Sequence, residues 1–237
     1  MPMRKPLLAM FNTVPKRYDL VNRVLTLGFD ERWRKQVAKA CIDTKPDRVM
    51  DLCCGTGDMA LHLARLAPAS VEITGVDFSE PMLDVAWYKA EACGLASRVT
   101  FKTGDAADLP YENDYFDAIT ISYGFRNLTY KNPMRDKFLA EILRVMRPGG
   151  RFMILETCQP DITPIRKLYH FYLKKLSATM GALISGQKGA YKYLGQSAAN
   201  YYNASEVCRL LLDGGFNSVQ CKTLLWGIAA AYTAKKA

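Results

Sequence analysis

Between residues 48 and 158, short apolar runs alternate with stretches of helical spacing, and that alternation leaves few architectures open. The apolar runs are 48–53 (RVMDLC), 71–77 (VEITGVD), 99–105 (VTFKTGD), 116–124 (FDAITISYG) and 149–158 (GGRFMILETC). Residues 59–67, 79–94 and 137–146 space their apolar positions as helices do. Strands separated by helices of this length pair in parallel through right-handed crossovers. Continuous runs such as AITIS and RFMIL suit strands covered on both faces. The pattern then changes. Residues 205–216 predict a helix with Ser205 as its N-cap, Glu206 in its first turn and Gly214-Gly215 at its end. Residues 217–226 and 227–236 predict two strands around Gly227, an antiparallel hairpin that closes a mostly parallel sheet. Residues 160–204, rich in Tyr, Lys, Leu and Met, read as a helical insertion.

A chain of 237 residues suits one well-cored domain. Its expected parts are N-terminal helices (1–47), a ligand-binding core (48–158), a helical substrate insertion (159–204) and a last helix with the closing hairpin (205–237). The hydrophobic share of 49% and charged share of 23% are those of an ordinary soluble protein. No run approaches the ~18 apolar residues of a bilayer span. The apolar run at the N-terminus is too short for a signal-peptide core, so a cytoplasmic location is expected. The seven cysteines form no C-x-x-C pair, and two histidines supply no metal-ligand spacing, so buried reduced thiols and no metal are expected. The net charge of +9 is uneven: +6 over residues 1–50, −4 over 51–159, +5 over 160–204 and +2 over 205–237. Basic flanks around an acidic centre suit an anionic membrane or nucleic acid, or are a solvated face without a partner. No RNA-binding motif or base-stacking platform is present, which argues against nucleic acid.

Three motifs follow the strands. In the first, residues 51–60 (DLCCGTGDMA), Gly55, Thr56 and Gly57 form a tight turn that lets a ligand approach the backbone. Alone, this glycine spacing fits a dinucleotide site equally well. In the second, Asp77 ends the next strand and is placed to accept hydrogen bonds from ribose hydroxyls, or Ser79 caps a helix there. In the third, Gly104-Asp105-Ala106 offers a carboxylate to an adenine amino group and a small residue beside the ring. Asp51 separates the two cofactor classes. A carboxylate at this turn suits the ammonium end of adenosylmethionine and repels a pyrophosphate. The same carboxylates, and the lack of room for a second catalytic domain, disfavour a nicotinamide reductase.

The run D-L-x-x-G-T-G-D (51–58), V-D-F-S-x-x-M-L (76–83), G-D-A-x-x-L-P (104–110) and F-D-A-I-T-I-S (116–122) resembles a class I methyltransferase. Residues 11–22 with Gly28 and Trp33-Arg34, 122–127 (SYGFRN), 144–151 (RVMRPGGR), and Gly215-Phe216 with 227–231 carry a closer match. They resemble the ubiquinone/menaquinone biosynthesis C-methyltransferase family. The resemblance implies a Rossmann-like α/β fold, a mostly parallel seven-stranded sheet with an antiparallel last strand. It implies S-adenosyl-L-methionine contacts at Thr56, Asp77, Asp105, Ala106 and Ser122, and a prenylated quinol as acceptor. The chain departs from the family at Glu156-Thr157-Cys158, where Glu-Phe-Ser is usual, and at 200–203 (NYYN), where a Phe-Pro pair is common.

Methylation at carbon needs a phenol that loses its proton, so that charge spreads to the ortho carbon. A phenol pKa near ~10 calls for a neighbouring cation. Arg126 is expected to stabilise the phenolate and Asn127 to orient an oxygen or a water; alternatively Arg126 is structural, paired with an acid such as Asp117. Tyr18 is expected to close over the cofactor or to pack as an aromatic. His170 reads as a residue of an amphipathic helix rather than as a base. The acceptor lives in a bilayer, so salt-sensitive peripheral membrane contact through the basic segments is expected. Another small-molecule or lipid acceptor stays the alternative, and the oligomeric state, a homodimer included, stays open.

Overall fold

The computed structural model describes residue 12, residues 15–177 and residues 188–237. The N-terminal reading and the centre of the insertion therefore lie partly outside the described residues. Two helices come first, α1 (Pro15–Leu25) and α2 (Phe29–Ile42). The alternating core follows as β1 (Arg48–Leu52), α3 (Asp58–Leu66), β2 (Glu72–Asp77), α4 (Glu80–Ala92) and β3 (Thr100–Thr103). It continues through β4 (Phe116–Ser122), the short α5 (Phe125–Thr129), α6 (Arg135–Val145) and β5 (Met146–Thr157). Beyond lie α7 (Thr163–Phe171), a π-helical stretch Tyr172–Ser177, α8 (Lys188–Ala199), α9 (Ala204–Asp213), β6 (Ser218–Leu224) and β7 (Ala229–Lys235).

The strands form one seven-stranded sheet in the order β3-β2-β1-β4-β5-β7-β6. β3 to β5 run parallel, and β7 runs antiparallel to both β5 and β6. Side chains alternate across the sheet, which buries both faces. Met50, Ile119, Phe152 and Ile154 pack with Phe138 and Ile142 of α6 and Val207 and Leu211 of α9. Val49, Ala118, Met153 and Leu155 face the other way, onto Trp33 and Val37 of α2 and Met59 and Leu63 of α3. The strand order reverses between β1 and β4, and doubly wound sheets bind ligands at the carboxyl ends beside such a switch.

Three expectations change. Asn203, not Ser205, caps α9: its side chain accepts from the Glu206 N–H at 2.9 Å, while Glu206 accepts from the Asn203 N–H at 2.8 Å. This reciprocal pair satisfies two helix-end donors, which Ser205 inside the first turn does not do. β5 begins at Met146, which pairs with Phe116 ahead of a register shift, so R-P-G-G lies within the strand, at that irregularity, rather than preceding it. All seven thiols are free, but only Cys41 and Cys158 are buried; Cys53, Cys54 and Cys208 are half-buried, and Cys93 and Cys221 are exposed.

Candidate active site

Two cavities open at the carboxyl edge of the sheet. The first, about 430 Å³, is lined by Gly55 after β1, Asp77 at the end of β2, Gly104, Asp105 and Ala106 after β3, and Ser122, Tyr123 and Asn127 after β4. The second, about 630 Å³, lies under α1, α2, α7 and α8 and is walled mainly by apolar side chains such as Phe29, Trp33, Leu173 and Ile228, with Asn22, Thr26, Asp30, Arg126 and Thr157 among its polar groups. Tyr18 and Tyr123 line both, so the cavities share a wall at those rings.

The turn after β1 is shaped by left-handed backbone at Cys53 (φ 53°), Gly55 (φ 52°) and Gly57 (φ 81°). A Cβ on Gly55 would meet nothing within 4 Å, whereas one on Gly57 would stand 2.9 Å from Ala86 Cβ and 3.0 Å from the Phe101 ring. Gly55 thus leaves its space to the cavity, and Gly57 packs α3 against α4. Asp77 holds this turn: its Oδ2 accepts from the Gly55 N–H at 2.8 Å and its Oδ1 from the Ser79 N–H at 2.9 Å. Burial pushes its carboxyl up, against the pull of these backbone donors. Ser79 is the N-cap residue of α4, though its side chain makes no cap bond. Asp105 Oδ1 accepts from the Ala107 N–H at 2.8 Å.

Asp51, Thr56 and Gly57 line neither cavity. Asp51 is 1% exposed and sits beneath the turn, accepting from Thr120 Oγ1–H at 3.0 Å and from the Ala60 N–H at 3.1 Å. Burial raises its carboxyl to about 7, despite those two donors. Thr56 donates to Asp19 of α1 at 2.5 Å, and Lys89 of α4 bonds both Asp19, at 2.7 Å, and Asp58. Arg34 of α2 reaches Asp30 at 2.6 Å, Asp58 at 3.6 Å and Ser122 Oγ at 3.1 Å, with its guanidinium 5.2 Å from the centre of the Tyr123 ring. Burial opposes charge on Asp58, yet Arg34 and Lys89 hold its carboxyl below the ordinary range. Asp19 and Arg34 were not singled out from sequence, although both lie in the segments that carried the closer resemblance.

Arg126 is paired with an acid, as in its structural alternative, but with Glu156 rather than Asp117. Its Nη1 donates to Glu156 Oε1 and to Thr157 Oγ1, each at 2.8 Å, its Nε donates to Ser197 Oγ at 3.2 Å, and its backbone N–H reaches Glu156 Oε2 at 2.9 Å. Asp117 instead takes the N–H groups of Asp47 and Arg48 and pairs with Arg147 at 2.5 Å. Arg126 and Glu156 are both buried, and the Arg126 Nη2 group has no partner among the described residues. Two polar atoms that line the first cavity are buried and unpartnered among those residues, Tyr123 Oη on the shared wall and Asn127 Oδ1. Tyr123 is the residue that sequence reasoning passed over, though it lies inside the quoted SYGFRN segment. His170, in α7 as expected, bonds Gln159 at 2.6 Å and lines neither cavity.

This arrangement fits a cationic adenosyl donor. Carboxylates at Asp77 and Asp105 face the first cavity, an orphan carbonyl oxygen at Asn127 awaits a donor group, and Gly55 leaves the backbone accessible. The ubiE/COQ5 methyltransferase family matches residues 4–236. The chain belongs to that family. The methyltransferase is 38% identical over 227 residues to the ubiquinone/menaquinone biosynthesis C-methyltransferase of Geotalea daltonii, covering 96% of this chain and 94% of that one. It is 40% identical over 223 residues to the demethylmenaquinone methyltransferase of Thermus thermophilus, with 94% and 98% covered. Its fold is shared by a SAM-dependent methyltransferase of Aquifex aeolicus, at a TM-score of 0.56 and 19% identity over 80% of this chain and 82% of the other.

Proposed function

We propose that this methyltransferase places its methyl group on a ring carbon of a prenylated hydroquinone, with residues 1–237 acting as one domain. S-adenosylmethionine is the cofactor and, when bound, supplies an electrophilic methyl group on a sulfonium. The observation that carries the reading is the pair of cavities: a small one edged by acids, and a larger apolar one, sharing a wall at Tyr18 and Tyr123. A donor in the first and an aromatic ring in the second are held side by side, and such alignment contributes roughly 7–11 kcal/mol of a barrier.

In the first cavity, Asp77 uses the lone pairs left by Gly55 and Ser79 for ribose hydroxyls, and Asp105 with Ala106 takes the adenine edge. Asn127 Oδ1 accepts from the ammonium group, and Gly55 admits the ligand to the backbone. Asp51, Thr56 and Gly57 act one layer down, by setting the turn and adding negative charge beneath it. Ser122 is held by Arg34 and shapes the floor. Tyr18 closes the wall from α1.

In the second cavity, Glu156 and Thr157 orient Arg126 so that Nη2 meets the acceptor's phenol oxygen. Glu156 screens part of the guanidinium charge, so Arg126 offers a directed N–H donor more than a bare cation. A directed, desolvated donor aimed at developing phenolate charge is worth about 2.7–4 kcal/mol in comparable sites. The apolar wall takes the prenyl tail at about 0.8 kcal/mol per buried CH₂. Such acceptors reside in a bilayer, and no described helix is long and apolar enough to cross one. In this reading the enzyme meets its acceptor from the cytoplasmic face, as a peripheral protein. The deciding assay incubates the protein with methyl-labelled S-adenosylmethionine and a panel of demethylated quinols. Label on a ring carbon of a quinol is expected; label on another acceptor class only, or on oxygen, overturns the reading.

A further inference from the structure

The second cavity opens through a collar of large apolar side chains that water should not favour. Leu27, Leu168, Phe171 and Trp226 all line that cavity, yet they are 83%, 70%, 56% and 72% exposed. Side chains that do both stand at its mouth. They come from three separate parts of the chain: the turn between α1 and α2, helix α7, and the turn between β6 and β7. Leu27 and Trp226 also hold left-handed backbone, at φ 52° and 54°, which is unfavourable for residues of their size. Isolated exposed apolar residues are ordinary, whereas four around one opening mark a contact surface.

We propose that this collar inserts into the surface of an anionic lipid bilayer, so that the mouth of the second cavity opens within the lipid. Charge selects that partner. Lys167 and Lys174, both exposed, flank Leu168 and Phe171, and the segment 160–204 carries +5 with a single acid. Lysines beside an apolar face suit anionic headgroups. A second copy of this chain suits the collar poorly, because a two-fold contact sets each patch on its twin and brings like charges together. The continuity of collar and cavity gives an apolar tail a path that never crosses water. The inference rests on the quinol reading for what travels that path, but not for the binding itself.

Trp226 supplies the probe. Trp33 is buried in the wall of the second cavity and Trp87, on α4, does not line it, so the part of the signal lost in Trp226→Ser reports collar insertion. The full-length protein is mixed with vesicles of phosphatidylglycerol and phosphatidylcholine, with and without lipids brominated near the headgroup. Expected are a blue-shifted emission and bromine quenching that vanish in Trp226→Ser, and co-flotation reduced at least tenfold in the double variant Leu27→Ser/Trp226→Ser. Both variants must keep wild-type binding of S-adenosylmethionine, which shows that they fold. Lys167→Gln/Lys174→Gln should weaken flotation only on anionic vesicles. Flotation that the collar variants leave unchanged overturns the proposal. So does a dimer, seen by sedimentation without lipid, that those variants dissociate. A parallel assay on a quinol with a short, water-soluble tail separates the two readings: methylation there by collar variants that no longer float leaves the proposed function standing, and absence of methylation by a wild type that floats leaves the collar standing.

Discussion

At the scale of single residues, buried charge makes the sharpest demands. Asp51 has a folded-state carboxyl near 7 because burial outweighs its hydrogen bonds with Thr120 and Ala60, against an ordinary value of 3.8. Between these two values the folded protein holds a proton that the unfolded chain has released. This contribution to stability is therefore complete below about 3.8, declines as pH rises, and is lost above 7. Asp51→Asn should flatten the slope between pH 5 and 8, read as the difference in urea midpoints between the two proteins. A bound sulfonium donor favours the ionised form, so donor binding near pH 7 should release protons in the wild type and fewer in Asp51→Asn, measured calorimetrically in buffers of different ionisation heat. Glu156 is the second case. It is fully buried against Arg126 at 2.8 Å, and Glu156→Gln leaves the guanidinium uncompensated. A loss of about 3 kcal/mol is expected from urea unfolding, as for other broken buried pairs. The double variant Arg126→Gln/Glu156→Gln should recover part of it while leaving methyl transfer abolished.

At the scale of elements, the strand-to-helix turn after β1 is the most demanding piece. Gly57 combines a left-handed backbone with contacts that leave no room for a methyl group. Gly57→Ala adds a backbone penalty of ~1–2 kcal/mol and crowding of ~1–3 kcal/mol, and should cost about 2–5 kcal/mol of stability in urea unfolding. Gly55→Ala meets no neighbour, so only the backbone penalty applies, but its methyl group occupies donor space. It should spare stability relative to Gly57→Ala and lose donor affinity instead. The cap of α9 shows how an element's end is read correctly or not. Asn203 and Ser205 are both good cap residues, and the spacing Asn203-x-x-Glu206 was the signal that separated them.

At the scale of the whole molecule, helices α1 and α2 are tied across the first cavity by charge. Asp19 links α1 to Thr56 in the turn and to Lys89 of α4, while Arg34 links α2 to Asp58 and Ser122. The Tyr172 hydroxyl adds a bond from the insertion to the Leu25 carbonyl at the end of α1. The Asp19 pair is partly exposed, so solvent screening limits its worth to about 1 kcal/mol. Asp19→Asn should therefore speed donor release about fivefold in stopped-flow measurements, a factor matching that energy, and high salt should erase most of the difference.

Local pattern was enough to place the strands and helices of the core, the glycine turn and the antiparallel closing hairpin. Burial repeats with period two or 3.6 along the chain, so the sheet, its two covered faces and the acids at its edge are written in neighbouring residues. The acids that close β2 and follow β3 were legible from their places at strand ends, and SYGFRN from its resemblance to the family; Ser122, Tyr123 and Asn127 meet those acids at the first cavity, while Arg126 reaches the second. The choice of Glu156 over Asp117 for Arg126, thirty residues away in sequence, followed no local spacing. Nor did the bond between Arg34 and Ser122, eighty-eight residues apart, or the depth of Asp51 below the cavity wall. The apolar chamber beside the first cavity is built from α1, α2, the insertion and the last turn, segments whose own patterns show only that each has an apolar face. Folding brought those faces together, because pairing them removes more apolar surface from water than any one of them removes alone.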